Sequence, residues 1–184
     1  ITPTEDYGYN YGELTITNVD PPFISTWTTP DTITLPLYNG GVYDFTVDWG
    51  DTTSSHITTY NQAERTHTYS SSGSYVVTID GTIEWWYFAG SISEDKITNI
   101  SQWGCLKLGN TGLYFYGCYN LTITATDILD LSDTTDLSYM FHGCSSITTI
   151  PNIDLWDISN VTDMYGMFEN ATSFNQDISS WNVS

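Results

Sequence analysis

The side chains able to do acid–base or nucleophilic chemistry are three histidines, three cysteines and 22 carboxylates. Nucleophilic catalysis needs a Ser or Cys beside a His, with an acid to orient the imidazole. His67 lies in "HTY", where a structural hydrogen bond is expected of it, and His142 lies in "FHGC". His56 stands in a Thr/Ser-rich stretch with no recognisable partner. His142 takes a position filled by Tyr116 and, one copy later, by Glu169, which describes an exposed and free site. Paired carboxylates could serve glycoside hydrolysis, but Asp130 and Asp157, like Asp136 and Asp163, recur at one spacing, the behaviour of turn and cap residues. No catalytic residue is assigned, and the chain reads as a non-enzyme.

Metal chemistry leaves two candidates. Calcium takes clustered oxygen ligands, and "DWGD" places Asp48 and Asp51 close together in a turn. Asp127, Asp130, Asp133 and Asp136 also fall within ten residues. Neither an EF-hand loop nor a Gly-Asp nonapeptide occurs, so turn carboxylates accepting backbone N–H groups are the preferred reading. No cofactor is assigned beyond that calcium candidate. Cys105, Cys118 and Cys144 are too few for a disulfide framework and lack zinc spacing. Cys118 and Cys144 occupy equivalent positions, with Ala171 in the third copy, and so belong to a buried column. Coils about 4.8 Å apart would let them bridge, and free buried thiols are preferred.

Only Arg65, Lys96 and Lys107 oppose the acidic residues, a formal net charge of −19. Such a surface repels phosphate and anionic lipid, which excludes nucleic acid and a polybasic membrane contact as partners. No stretch approaches the roughly 18 apolar residues of a membrane span. The chain starts without Met and closes on "SSWNVS", which reads like the start of a further repeat and is expected to continue beyond residue 184.

The elements that carry these residues fall into two modules after a linker with one strand, "ELTITNV", over residues 1–22. Residues 23–90 read as all-β. In "VYDFTVDWGD", Tyr43, Phe45, Val47 and Trp49 alternate with Asp44, Thr46 and Asp48, and "SYVVTIDG" repeats the pattern with Tyr75, Val77 and Ile79. Turn signals about every ten residues suggest a β-sandwich. "EWWYF", residues 84–88, is expected to be a buried strand or the packing seam between the modules.

Residues 91–184 are built from copies. "DLSDTTDLSYMF" (130–141) recurs as "DISNVTDMYGMF" (157–168). Phe115, Phe141 and Phe168 lie 26 and 27 residues apart, and Trp156 in "LWDIS" recurs as Trp181 in "SWNVS". A period near 26 marks a solenoid whose unit cannot bury its apolar face alone. Met164, Met167 and Phe168 fall at i, i+3 and i+4, the pattern of a short helix capped by Ser159 or Thr162. "LTI", "ITTI" and "SFNQDI" then supply one short parallel strand per coil. Residues 97–129 form an entry segment, with repeats from about 115.

Two resemblances rest on these residues. "FTVDWGD" followed by "ERTHTYSSSGSYVVTIDG" resembles the polycystic-kidney-disease (PKD) type of immunoglobulin-like domain, with its Trp-Gly-Asp turn, His67-Thr68-Tyr69 and Gly73-x-Tyr75-x-Val77. The family's usual Gly after the second Asp is Thr52 here, which leaves the turn geometry open. The repeats resemble the BspA-like leucine-rich repeat family, also known from mycoplasma lipoproteins, closely over 130–184 and more loosely over 97–129. Together they imply a mainly β chain with short helices, a PKD-like sandwich followed by a leucine-rich-repeat-type solenoid. They imply a surface protein of bacteria, protists or large viruses engaged in adhesion.

The function expected is non-enzymatic adhesion or recognition, extracellular or on a cell or virion surface, with a protein or glycan on another surface as partner. The alternative is a virion or appendage structural protein whose partners are copies of itself and other subunits. Asn99, Asn120, Asn160, Asn170 and Asn182 begin N-x-[ST] sequons that matter only in a eukaryotic secretory pathway. Seven Trp and 14 Tyr could furnish a recognition surface, once it is known which of them face water.

Overall fold

The computed structural model describes residues 20–29 and 31–181. The strand expected within residues 13–19 lies outside that range, as does Asn182. The chain is mainly β. Its strands are β1 (Phe23–Thr29), β2 (Thr32–Thr34), β3 (Tyr43–Asp48), β4 (Ser54–Ile57), β5 (Thr66–Thr68), β6 (Gly73–Glu84), β7 (Ile97–Gln102), β8 (Leu106–Lys107) and β9 (Thr122–Ile123). Two single 3-10 turns, Ala63–Arg65 and Ile153–Leu155, are the helical elements among the described residues.

The alternation read in the sequence governs β3, where Tyr43, Phe45 and Val47 are buried and Asp44, Thr46 and Asp48 exposed. Because successive side chains point to opposite faces, this pattern fixes both the strand and its register. The large sheet runs β4-β3-β6-β1-β7-β9, with β8 beside the end of β6. A separate two-stranded sheet joins β2 to β5, and the hydroxyls of Thr32 and Thr68 and of Thr34 and Thr66 bond across it.

The strands on either side of residue 90 share one sheet and one core. β1 is antiparallel to β6 on one side and to β7 on the other, and β7 is parallel to β9. "EWWYF" is the seam. Glu84 ends β6, Trp85 turns the chain at φ 77°, and Trp86 and Phe88 are fully buried. Trp86 meets Phe23 edge-on at 5.4 Å, and Phe88 lies 6.0 Å from both Trp27 and Phe115. The buried cluster therefore runs without a break from Phe23 to Met167.

Beyond β9 the chain stacks coils. The N–H groups of Leu113, Phe115 and Gly117 donate to the carbonyls of Ser138, Met140 and His142 at 2.8–2.9 Å. In the next coil those of Leu137, Tyr139, Phe141 and Gly143 donate to Asp163, Tyr165, Met167 and Glu169 at 2.7–2.9 Å. The intervening N–H groups of Met140, His142 and Cys144 close three-residue turns onto Leu137, Tyr139 and Phe141. Thus every second donor serves the neighbouring coil.

That division explains why the expected short helix does not form. An α-helix needs each carbonyl for the N–H four residues on, whereas here the carbonyls of Asp163, Tyr165 and Met167 accept N–H groups of the preceding coil. Left-handed residues at Tyr139 (φ 53°) and Gly166 (φ 62°) break the helical run as well. Met164, Met167 and Phe168 sit on turns, with the Met167 N–H bonded to Met164. The expected caps act otherwise: the Thr162 hydroxyl donates to the Thr135 carbonyl, and the Ser159 N–H is held by Asp157. Of the three expected strands only "LTI" forms one, as β9. "ITTI" and "SFNQDI" are irregular, joined by the Asn175 N–H to the Thr148 carbonyl and by the Ile150 N–H to the Gln176 side chain.

Two measurements test this architecture. Phe141 is fully buried and stacked between Phe115 at 5.7 Å and Phe168 at 5.6 Å. Phe141→Ala should cost about 3–5 kcal/mol in urea unfolding, and Phe168→Ala, half-buried at the end of the row, should cost less. Asp130 is the second case. Burial raises its carboxyl, but Lys107 and Ser132 outweigh it and bring the pKa to about 2. A carboxyl depressed on folding stabilises fully above its unfolded pKa and loses that effect as pH falls through the folded value. The urea midpoint should therefore fall between about pH 4 and pH 2, and Asp130→Asn should flatten that part of the profile.

Candidate functional site

Asp48 and Asp51 are turn acceptors. Asp48 Oδ1 accepts the Gly50 N–H at 2.8 Å, and Asp51 Oδ1 accepts the Thr53 N–H at 3.0 Å. The Thr53 hydroxyl, more than any other group, holds the Asp51 carboxyl below its ordinary value. Asp51 Oδ2 faces His67 Nε2 at 2.8 Å, and the His67 ring lies flat on Trp49 at 4.8 Å. Thr52 stands in the left-handed region at φ 74°, so it takes the conformation that a Gly favours in such a turn. Tyr69 completes the corner by donating its hydroxyl to the Trp49 carbonyl at 2.9 Å.

The acidic run of the repeats is also divided among separate tasks. Asp127 accepts the N–H groups of Trp103 and Gly104, Asp130 pairs with Lys107, and Asp136 accepts the Ser138 N–H. Among the described residues no three His, Cys, Asp or Glu side chains gather where a cation could sit. His56 is not partnerless as expected: it lies on β4 with Nε2 2.8 Å from Asp44 Oδ1 on β3, a cross-strand pair in solvent.

The repeat positions form columns. Besides the Phe115–Phe141–Phe168 row, Trp156 and Trp181 stack at 6.4 Å. Met167 is buried and Met164 half-buried against the same core. Cys118 and Cys144 are buried free thiols, and Cys144 Sγ donates to the Phe115 carbonyl at 3.0 Å. Burial pushes both thiols up, Cys144 to about 12. The sequon asparagines stitch neighbouring coils. Asn120 Nδ2 donates to the Asp95 carbonyl, Asn160 Nδ2 to that of Ser132, and Asn99 exchanges bonds with Thr124. Asn170 Nδ2 lies 3.3 Å from His142 Nε2.

One surface gathers aromatic rings from three successive coils. Tyr116 and His142 stack at 4.5 Å with their planes 5° apart. Tyr139 meets His142 edge-on at 5.7 Å and Tyr116 at 6.5 Å. Tyr165 meets Tyr139 at 5.3 Å and is 68% exposed. Glu169 Oε2 closes the row 4.0 Å from His142 Nε2. His142 is thus not the exposed, free residue its substitution pattern suggested, since its side chain is 19% exposed and clamped between coils. Desolvation, then the neighbouring Tyr165, raises the Tyr139 phenol.

The floor beside this ridge is bare backbone. A Cβ on Gly117 would meet only Glu94 Cγ, at 3.7 Å, and one on Gly143 only the backbone of Gly117. Glu94 Oε2 and His142 Nδ1 are buried without a hydrogen-bond partner. The surface thus sets the Tyr139 and Tyr165 rings and the Glu169 carboxylate on a ladder of backbone hydrogen bonds between coils. The sequence signal for it lay in Tyr116, Tyr139 and Tyr165. It was hidden because Tyr139 and Tyr165 sit 26 apart while the flanking Phe141 and Phe168 sit 27 apart.

Residues 86–184 match the family model described as "Mycoplasma protein of unknown function, DUF285". The comparisons with curated proteins and with solved structures gave no match. The matched span starts at Trp86 in the seam, contains the phenylalanine row and the aromatic ridge, and takes in more than half of the chain. The chain belongs to the DUF285 family of mycoplasma-type proteins.

Proposed function

We propose that the chain is a non-enzymatic recognition module of an extracellular surface protein. In this reading a BspA-like leucine-rich-repeat solenoid, residues 91–184, carries the aromatic ridge, and a PKD-like sandwich, residues 23–90, is its rigid base. The single observation that carries it is the ridge: Tyr116, Tyr139, His142 and Tyr165 brought to one surface from three coils. Interfaces draw much of their energy from Tyr, Trp and Arg anchors that are stiff before binding. Membership of a mycoplasma-type family supports the surface setting. The continuous β1–β7–β9 sheet supports the rigid base, because it leaves no hinge between base and solenoid.

The chain should bind at least one member of a panel of host cells, immobilised glycans and extracellular-matrix proteins. Tyr165→Ala, at a mostly exposed ring, should weaken that binding about tenfold or more while leaving the unfolding midpoint unchanged. Silence across the whole panel would remove the proposal.

A further inference from the structure

We infer that the ridge takes a cationic polypeptide segment, one whose Lys or Arg side chains rest on the tyrosine rings and end on carboxylates; this rests on the recognition reading above. Two independent observations point the same way.

The first is the field. With three basic residues against 22 acidic ones, the chain attracts cations and repels anionic glycans, phosphate and sulfate over distances of about a Debye length, roughly 8 Å at physiological salt. The second is the ring chemistry. Tyr165, 68% exposed, lies 5.3 Å from Tyr139, so one ammonium or guanidinium can reach both electron-rich rings. Glu169 stands at the end of the His142 column as a carboxylate terminus. The Glu169 carboxylate, 52% exposed, takes a charge-assisted bond from a Lys or Arg side chain more strongly than a hydrogen bond from a neutral sugar hydroxyl.

The geometry also defines the form of the segment. The ridge spans three coils in a line, from Tyr116 through Tyr139 and His142 to Tyr165 and Glu169. The strip beside it is floored by Gly117 and Gly143, whose missing side chains let a backbone lie close. An extended chain with basic residues at alternate positions matches this better than a folded knob.

Binding of a fluorescent alternating Lys–Gly peptide to the whole chain, by anisotropy at physiological salt, tests the inference. The comparisons are the same peptide with every lysine acetylated, and neutral oligosaccharides. Non-specific attraction to a chain of net charge −19 is the rival explanation, so the decisive variants compare place with charge. Tyr165→Ala changes no charge and should weaken binding about tenfold, as expected for loss of one cation–π anchor. Glu169→Gln should weaken it comparably, and Asp80→Asn, an exposed carboxylate on β6, should not. The acetylated peptide should not bind. If Tyr165→Ala binds as the parent does, or if Asp80→Asn and Glu169→Gln weaken binding equally, the inference is overturned. If a neutral oligosaccharide binds and Tyr165→Ala abolishes it, the recognition reading stands and the cationic partner falls. If no probe responds to Tyr165→Ala, the cationic partner falls, and the recognition reading falls with it when the panel of cells, glycans and matrix proteins is silent too.

Discussion

The rest of the structure depends on how the backbone donors of each coil are divided. Over residues 113–117 and 137–143 alternate N–H groups point along the stack to the next coil, and those between them close turns within the coil. A buried N–H without a partner is costly, so each donor has one destination. Given this division, a helix cannot form, the coil must change direction at left-handed residues, and equivalent side chains must superpose. The phenylalanine row, the thiol column and the tyrosine ridge all follow from the same rule. Their regularity belongs to the backbone, and the side chains inherit it.

The joint between the modules obeys the same logic. β1 presents two edges, one to β6 and one to β7, and β7 passes the pairing on in parallel to β9. A coil at the start of a stack would leave its carbonyls bare; the Leu113 carbonyl instead accepts the Phe88 N–H. Here the base supplies that first partner. Trp86 and Phe88 fill the space between the modules, so the apolar interior has no discontinuity where the repeat pattern begins.

Much of this was legible in the sequence because period carries geometry. The alternation from Tyr43 to Trp49 gave strand and face together, and the 26- to 27-residue copies gave the columns of Phe, Cys and Trp. The turn role of Asp48 and Asp51 also followed from their residue types. The helix was misread because spacing alone cannot distinguish a helical face from a turn whose carbonyls are engaged by a neighbour. Met164, Met167 and Phe168 fit either. His142 was misread because variation at one position, Tyr to His to Glu, looked like freedom. In the fold Tyr116 stacks on His142 and Glu169 lies beside it, so the variation is a column of different groups centred on His142. Contacts between copies are invisible until the copies are stacked.

The passage of one sheet from base to coils also gives the molecule a grain. Tension applied along the stack bears on the amide–carbonyl rows between coils, several of them loaded at once in each gap. Tension applied to peel a single coil sideways meets those bonds one by one. The stack is therefore stiffer along its axis than across it, and a coil that peels away gives up its whole row of bonds in turn.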